Sequence, residues 1–185
     1  LRLAKTDLFA ELDETVFTFR ERALRDGIEV KYSIPEVPAI ANADANRLKQ
    51  VFMNILDNAL KYSRSPSKIF VKAEFTKLDN QNFVKIAIAD QGCGISKEDL
   101  PHVKEKFYKA NVSVRGSGIG LAVTNEIVNL HHGKLEIDSQ EGKGTLVTIY
   151  LPVENSPTKN ELNDMKQNET VQDAEINEGV EINKN

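Results

Sequence analysis

Three clusters of residues in this chain have the types and spacing to do chemistry. The first is Arg47, Asn54, Asn58 and Lys61, which a helical step of about 100° per residue places along one stripe. An Asn oxygen is a neutral ligand for a hard cation such as Mg²⁺, which keeps water and substrate phosphates in its shell. Lys61 would meet phosphate as a point charge. The second cluster is Asp90-Gln91-Gly92-Cys93-Gly94-Ile95. Its glycines let the backbone approach a ligand or turn with positive φ, and Asp90 can accept a hydrogen bond from an exocyclic amine. The third is Gly116-Ser117-Gly118-Ile119-Gly120-Leu121, opening a helix whose first N–H groups attract phosphate. It is not the dinucleotide G-x-G-x-x-G, since Leu121 follows Gly120, and the chain has no G-K-[ST] of a P-loop. Each cluster taken singly has a plain alternative: a wet helix face, an Asp-Gly turn, a glycine-rich helix start.

The elements that must position these clusters read as mixed α and β. Asp7 or Thr6 can cap a helix carrying Leu8, Leu12, Val16, Phe19 and Ala23 at helical spacing, with Gly27 to end it. A strand is expected over 28–34, stopped by Pro35. Asp44 can cap a second helix running to about Tyr62, with Leu48, Val51, Phe52, Ile55, Leu56 and Ala59 as its apolar stripe. Alternation at Ile69, Val71, Ala73 and Phe75, then at Val84, Ile86 and Ile88, predicts a hairpin around Asp79-Asn80-Gln81-Asn82. Ser96 is expected to cap a short helix towards Lys106. Ile119, Ala122, Val123, Ile127 and Leu130 mark another helix, with Gly133 at its end. Leu135 and Ile137, then 146–151, predict a closing strand pair. Helices and strands do not alternate regularly, which argues against a doubly wound parallel sheet. The expected fold class is α+β: a two-layer sandwich with one mixed, mostly antiparallel sheet and about three helices on one face.

In this order the clusters resemble the motifs of the histidine kinases. The run from Asn54 to Ser63 looks like their N box, Asp90 to Ile95 their G1 box, Phe107-Tyr108 their F box and Gly116 to Leu121 their G2 box, with Gly142-Lys143-Gly144-Thr145 as a last glycine motif. The resemblance covers roughly residues 1–151 and is to the catalytic, ATP-binding domain of a two-component sensor histidine kinase, in the GHKL ATPase superfamily. It implies ATP and Mg²⁺ as ligands, with Asn58 holding the metal, Lys61 on phosphate and Tyr62 beside the nucleotide. Asp90 would bind the adenine amino group, Gly92 and Gly94 would admit the base, Ile95 would belong to the same site, and Thr145 would support the adenine pocket. The segment from about Lys104 to Ser117 would be a mobile lid with Lys109 and Arg115 as cationic contacts. Gly116, Gly118 and Gly120 would hinge it and cradle phosphate, with Ser117, Ile119 and Leu121 in the same run. Asn54, Asn58 and Lys61 are the implied catalytic positions. One departure is Lys104, where the family's F box has a Phe.

Position 54 separates branches of that superfamily. The gyrase-like and chaperone-like ATPases, and the serine-kinase anti-sigma factors, carry a Glu four residues before the magnesium Asn. Asn54 is a poor general base. The resemblance therefore implies slow hydrolysis and a γ-phosphoryl group kept for a protein acceptor, against two other readings: a non-catalytic ATP-binding signalling module, and a GHKL ATPase or serine kinase. The implied acceptor is a His on a dimerisation domain, with a response regulator downstream. None of His102, His131 and His132 has the His-Glu context, so all three read as structural, the last two as partly protonated groups at a helix C-terminus. The start at Leu1, without Met, is read as a piece of a longer protein whose acceptor domain precedes it.

Composition bounds the rest. The chain has 185 residues, 40% of them hydrophobic and 28% charged, which excludes wholesale disorder. It contains no apolar run of the ~18 residues that span a bilayer. Cys93 is the only cysteine, so neither an internal disulfide nor a multi-cysteine zinc site can form, and a cytoplasmic setting is expected; a membrane-anchored parent is what the resemblance implies. The formal charge of −4 belongs to the end of the chain: from Pro152 eight acids face three lysines, while the first 151 residues carry 20 acids and 21 bases. A near-neutral body advertises neither nucleic acid nor a membrane surface as partner. No aromatic residue follows Tyr150. Residues 152–185 are accordingly expected to be a disordered acidic tail, removable without change in binding or melting temperature.

Overall fold

The computed structural model describes residues 1–110, 117–167 and 171–181. Its elements are β1 (Ala4–Asp7), α1 (Leu8–Arg25), β2 (Ile28–Ser33), β3 (Ile40–Ala43), α2 (Ala45–Tyr62), β4 (Ser67–Leu78), β5 (Gln81–Asp90), α3 (Gly120–Leu130), β6 (Lys134–Gln140), β7 (Gly144–Pro152), α4 (Lys159–Gln167) and α5 (Val171–Glu181). Local chemistry sets the two long helices. The Asp7 carboxylate accepts the N–H groups of Phe9 and Ala10 at the start of α1, and Gly27 turns the chain out of it at φ +73°. Asp44 caps α2 through the Arg47 N–H. Asp79 and Asn80, both at positive φ, make the two-residue turn of the β4–β5 hairpin.

The five-stranded sheet has the order β2-β4-β5-β7-β6, with β2 parallel to β4 and the other pairs antiparallel. A separate ribbon pairs β1 with β3. One face of the sheet takes α1, α2 and α3 on a core of Ile69, Val71, Ile86, Ile88, Val147 and Ile149 against Leu8, Leu12, Phe19, Phe52, Leu56 and Ile127. Each fully buried Phe or Leu in such a core contributes roughly 2–3 kcal/mol. This is the α+β sandwich that the sequence predicts.

Four features differ from the expectations. The segment after Ser96 forms only a 3₁₀ turn at Leu100–His102 instead of a helix. Val103 is its one buried residue among 96–110, and a short helix without an apolar stripe to pack has little to stabilise it. The turn after α3 takes its positive φ at His132, not Gly133; Gly133 is small because a Cβ there would meet the Tyr150 carbonyl oxygen at 2.4 Å. His131 is buried, its Nε2 accepts the Asp44 N–H at 3.0 Å and its Nδ1 faces the Ile127 carbonyl at 2.8 Å. These buried contacts tie α3 to the start of α2, in place of the expected role at the helix dipole.

The fourth difference is the largest. Instead of a disordered tail from 152, the chain ends β7 at Pro152, bonds the Val153 N–H to the Asn82 carbonyl and forms α4 and α5. Ile176 and Val180 of α5 are buried with Phe70, Ala87, Ala89 and Leu146 on the sheet's other face. Helix α5 forms in a polar segment because an apolar surface elsewhere in the chain receives it.

Candidate functional site

A cavity of about 310 Å³ opens between α2, the ends of β5 and β7, and the segment leading into α3. From α2 it takes Asn58, Lys61 and Tyr62, from β5 and the loop beyond it Asp90, Cys93, Gly94 and Ile95, and from β7 Thr145. The stretch before and into α3 adds Tyr108, Lys109, Ser117, Gly118, Gly120 and Leu121. Most of the predicted residues therefore meet in one place, although up to 87 positions separate them in sequence. Ile55, Ala59, Ile88, Val103, Ile137 and Val147 are its apolar walls, with Asp57 and Ala110 also at its lining. The signal for these apolar members, Val103 excepted, is their place on the inward side of the helical and strand periodicities, next to the polar residues already singled out.

Asp90 is the last residue of β5 and is buried. Its Oδ1 accepts the N–H of Gly92 at 2.8 Å and of Thr145 at 3.3 Å. Burial raises its carboxyl to about 6, against the pull of these two N–H donors. Thr145 Oγ1 lies 2.9 Å from Ser139 Oγ, which also accepts the Ile95 N–H at 2.8 Å. Asp90, Thr145, Ser139 and Ile95 thus form one braced unit.

The glycines of this loop serve the chain's own backbone. A Cβ at Gly92 would lie 2.5 Å from the Tyr62 carbonyl oxygen, one at Gly94 2.0 Å from the Gln140 carbonyl oxygen, and one at Gly144 2.0 Å from that of Asp90. The expected role of Gly92 and Gly94 was to admit a base; what fills the space beside them is main chain. Gly92 itself does not line the cavity, and Gly94 does.

Cations gather on the other side. Lys61 Nζ sits 5.1 Å from the Tyr62 ring centroid. Its pKa is lowered, first by burial and then by the nearby charge of Lys109. An ammonium held down by burial and by a second positive charge nearby favours an anion beside it. Burial, and then Cys93, push the Tyr62 hydroxyl up. Gly120 opens α3, and the space where its Cβ would stand is clear. Main-chain N–H groups at that end of the helix are suited to phosphate.

Other predicted residues stand apart from the cavity. Asn54 Nδ2 donates at 3.4 Å to the Gly120 carbonyl and to Thr124 Oγ1, which joins α2 to α3. Arg47 donates to Gln50 on the helix surface. Ile119 is the N-cap of α3 and is not among the cavity residues. Arg115 and Gly116 lie outside the described residues. Lys104, the departure from the F-box pattern, reaches across to the Leu135 carbonyl at 2.7 Å, so an ammonium takes up the task of fixing this segment to β6. Phe107 is exposed, whereas Tyr108 lines the cavity and donates its hydroxyl to Asp99.

The donor set fits a nucleoside triphosphate: a buried carboxylate at the strand ends, flat apolar walls, and lysines with a helix start on the far side. Among the described residues no group of three or more His, Cys, Asp or Glu could hold a metal. A metal at Asn58 would therefore be held by one amide oxygen together with phosphate and water, as Mg²⁺ prefers.

The chain matches the family of histidine kinase-, DNA gyrase B- and HSP90-like ATPases over residues 43–155. It is 34% identical over 151 residues to the non-motile and phage-resistance protein of Caulobacter vibrioides, which covers 80% of this chain and 18% of that protein. With the sensor histidine kinase WalK of Bacillus subtilis it shares 33% identity over 129 residues, 68% of this chain and 21% of the relative. The mycobacterial sensor histidine kinase MprB superposes with a TM-score of 0.66 at 28% identity, over 83% of this chain and 99% of that one. The chain thus spans about a fifth of the length of these curated relatives. Among the described residues no helix is long and apolar enough to cross a membrane. The chain belongs to the histidine kinase-, DNA gyrase B- and HSP90-like ATPase family, as a catalytic ATP-binding domain of the sensor histidine kinase type.

Proposed function

We propose that this domain binds Mg-ATP in the cavity and passes the γ-phosphoryl group to a histidine on a dimerisation domain, from which a response regulator receives it. The supporting observation is the gathering of Asp90, Asn58, Lys61 and Lys109 around one apolar-walled cavity. Asp90 accepts the adenine amine while its other contacts hold it in place; a guanine carbonyl at that position would face a carboxylate and be rejected. Tyr62 and the apolar walls sandwich the base. Asn58 would hold Mg²⁺, which would supply neutralisation of the charge on the transferring group. Lys61 and Lys109 take the remaining phosphate charge, and the first N–H groups of α3 orient the chain of phosphates.

Asn54 supports the kinase reading over an ATPase. Its amide is engaged with α3, and a neutral amide outside the cavity does not activate water. Catalysis is then positioning and charge neutralisation, with the nucleophile brought by the acceptor domain. The parent is anchored at a membrane, with this domain on its cytoplasmic side. The test is labelled ATP with the domain joined to a histidine-bearing dimerisation domain. Acid-labile phosphate on that histidine, lost in Asp90→Asn and Asn58→Ala, is the expected result. Steady phosphate release by the domain alone at about 1 s⁻¹ or faster would instead make it an ATPase.

A further inference from the structure

The outer face of the sheet carries a helix that the nucleotide cavity does not include. Ile176 and Val180 of α5 are buried against Phe70, Ala87, Ala89 and Leu146. Between them the backbone of α5 lies directly on an aromatic ring, since a Cβ on Gly179 would fall 2.4 Å from Phe70 Cδ2. Glu175 pairs with Lys68 and stands 3.9 Å from Lys31.

The position of this contact matters more than its size. In the sheet, Phe70 pairs with Ala89 and Ala89 with Leu146; one residue further along, Ile69 pairs with Asp90 and Asp90 with Thr145. Side chains alternate faces along a strand. The row that α5 covers is therefore the immediate neighbour of the row that presents Asp90 and Thr145 to the cavity. Both rows lie at strand ends, Asp90 being the last residue of β5 and Thr145 the second of β7, where sheets open most readily. A second link runs through Lys68: its side chain pairs with Glu175, and its main-chain N–H donates at 2.9 Å to Gln91 Oε1, next to Asp90.

We propose that α5 is a positioning element for the base-binding end of the nucleotide site: its docking on the outer face holds the Asp90–Thr145 row in register, so that docking and adenine binding are coupled. This rests on the reading of the cavity as an ATP site. Linkage then requires that nucleotide tighten the docking of α5 as much as docking tightens the nucleotide. Because α5 acts on the base and not on the phosphates, adenosine, ADP and ATP should feel it equally.

The test uses the full chain. Gly179→Ala improves the helix-forming tendency of α5 in isolation but sets a methyl group into the Phe70 ring, so it separates docking from helix formation. Ile176→Asp removes docking by a different route, and Gly179→Ala with Phe70→Leu gives back the room. Hydrogen exchange of 171–181 reports docking, and calorimetry reports affinity. Expected are faster exchange in both single variants, an affinity loss of about fivefold shared by adenosine, ADP and ATP, an unchanged Mg²⁺ dependence, recovery in the double variant, and slower exchange of 171–181 in the unaltered chain when ADP is added. Fast exchange with unchanged affinities would overturn the coupling, as would a loss confined to ATP, or exchange that stays slow in both variants while affinity falls. An unaltered chain that binds none of the three ligands would sink the reading of the cavity itself, a result distinct from binding that is indifferent to α5.

Discussion

The two faces of the sheet are covered in different ways. The inner face receives α1 and α2 through long apolar stripes and is filled by large side chains such as Phe19, Phe52, Leu8 and Leu56, with almost no exposed surface. On the outer face, two apolar residues of α5 meet one Phe, one Leu and two Ala, and the remainder is a rim of Lys and Glu: Lys68 with Glu175, and Lys72 and Lys85 with Glu74. The first arrangement is required for folding at all. The second adds a modest increment to a sheet already formed, which suits an element that tunes a site more than one that builds it.

That contrast can be broken at graded points. Phe52→Ala in the inner layer should lower the unfolding free energy by about 3–5 kcal/mol, read by denaturant titration; a loss below about 1 kcal/mol would contradict the picture of a close-packed layer. Next is Asp90→Asn. Burial lifts the Asp90 carboxyl from 3.8 to about 6, so the folded state holds this proton more tightly than the unfolded state does. The penalty for ionising it is absent below about pH 4 and complete above about pH 6. Asn keeps an oxygen for the Gly92 and Thr145 N–H groups and has no charge to bury. The nucleotide-free variant should gain about 3 kcal/mol at pH 8 and nothing near pH 4, while its ATP affinity falls at least about a hundredfold. In the unaltered chain, ATP affinity should weaken as the pH falls through about 6, where the acceptor takes up its proton. Equal melting temperatures for the two chains at pH 8 would show that the carboxylate carries no such penalty.

Smaller effects belong to the outer layer. Val180→Ala removes two methyl groups from the α5 contact and should lower stability by about 1.5 kcal/mol; a loss like that of Phe52→Ala would erase the distinction between the faces. Smallest of all is Lys5→Ala, which breaks the exposed pair with Glu154 and should stay within about 0.5 kcal/mol by the same titration.

What was legible in the sequence follows the same divide. Helices α1 and α2 announce themselves because cap, stripe and stop lie within twenty residues, and the β4–β5 hairpin because its turn is two residues of the right type. Strands β1 and β3 are four residues each and pair across more than thirty positions, so no local period marks them. Composition made the end of the chain look unfoldable, since α5 brings two buried apolar side chains among its described ones; most of the surface that receives it, Phe70, Ala87 and Ala89, lies about a hundred residues earlier. A signal was present in the receiving strands. Ile69-Phe70-Val71 and Ala87-Ile88-Ala89 are apolar on both faces, and a strand apolar on both faces needs a cover on each. The cavity's polar members were legible as motifs, whereas the engagement of Asn54 with α3 and the reach of Lys104 to β6 depend on tertiary packing that spacing does not encode.

The crowding beside Gly92, Gly94 and Gly144 bears on how this pocket can change under selection. Where those three residues meet Tyr62, Gln140 and Asp90, one strand of main chain leans on another, and a substitution alters side chains while leaving carbonyl groups in place. An inhibitor that took its grip beside Gly94, the one of the three that lines the cavity, would leave few single-codon routes to resistance there, because a bulkier residue would distort the protein before it excluded the drug.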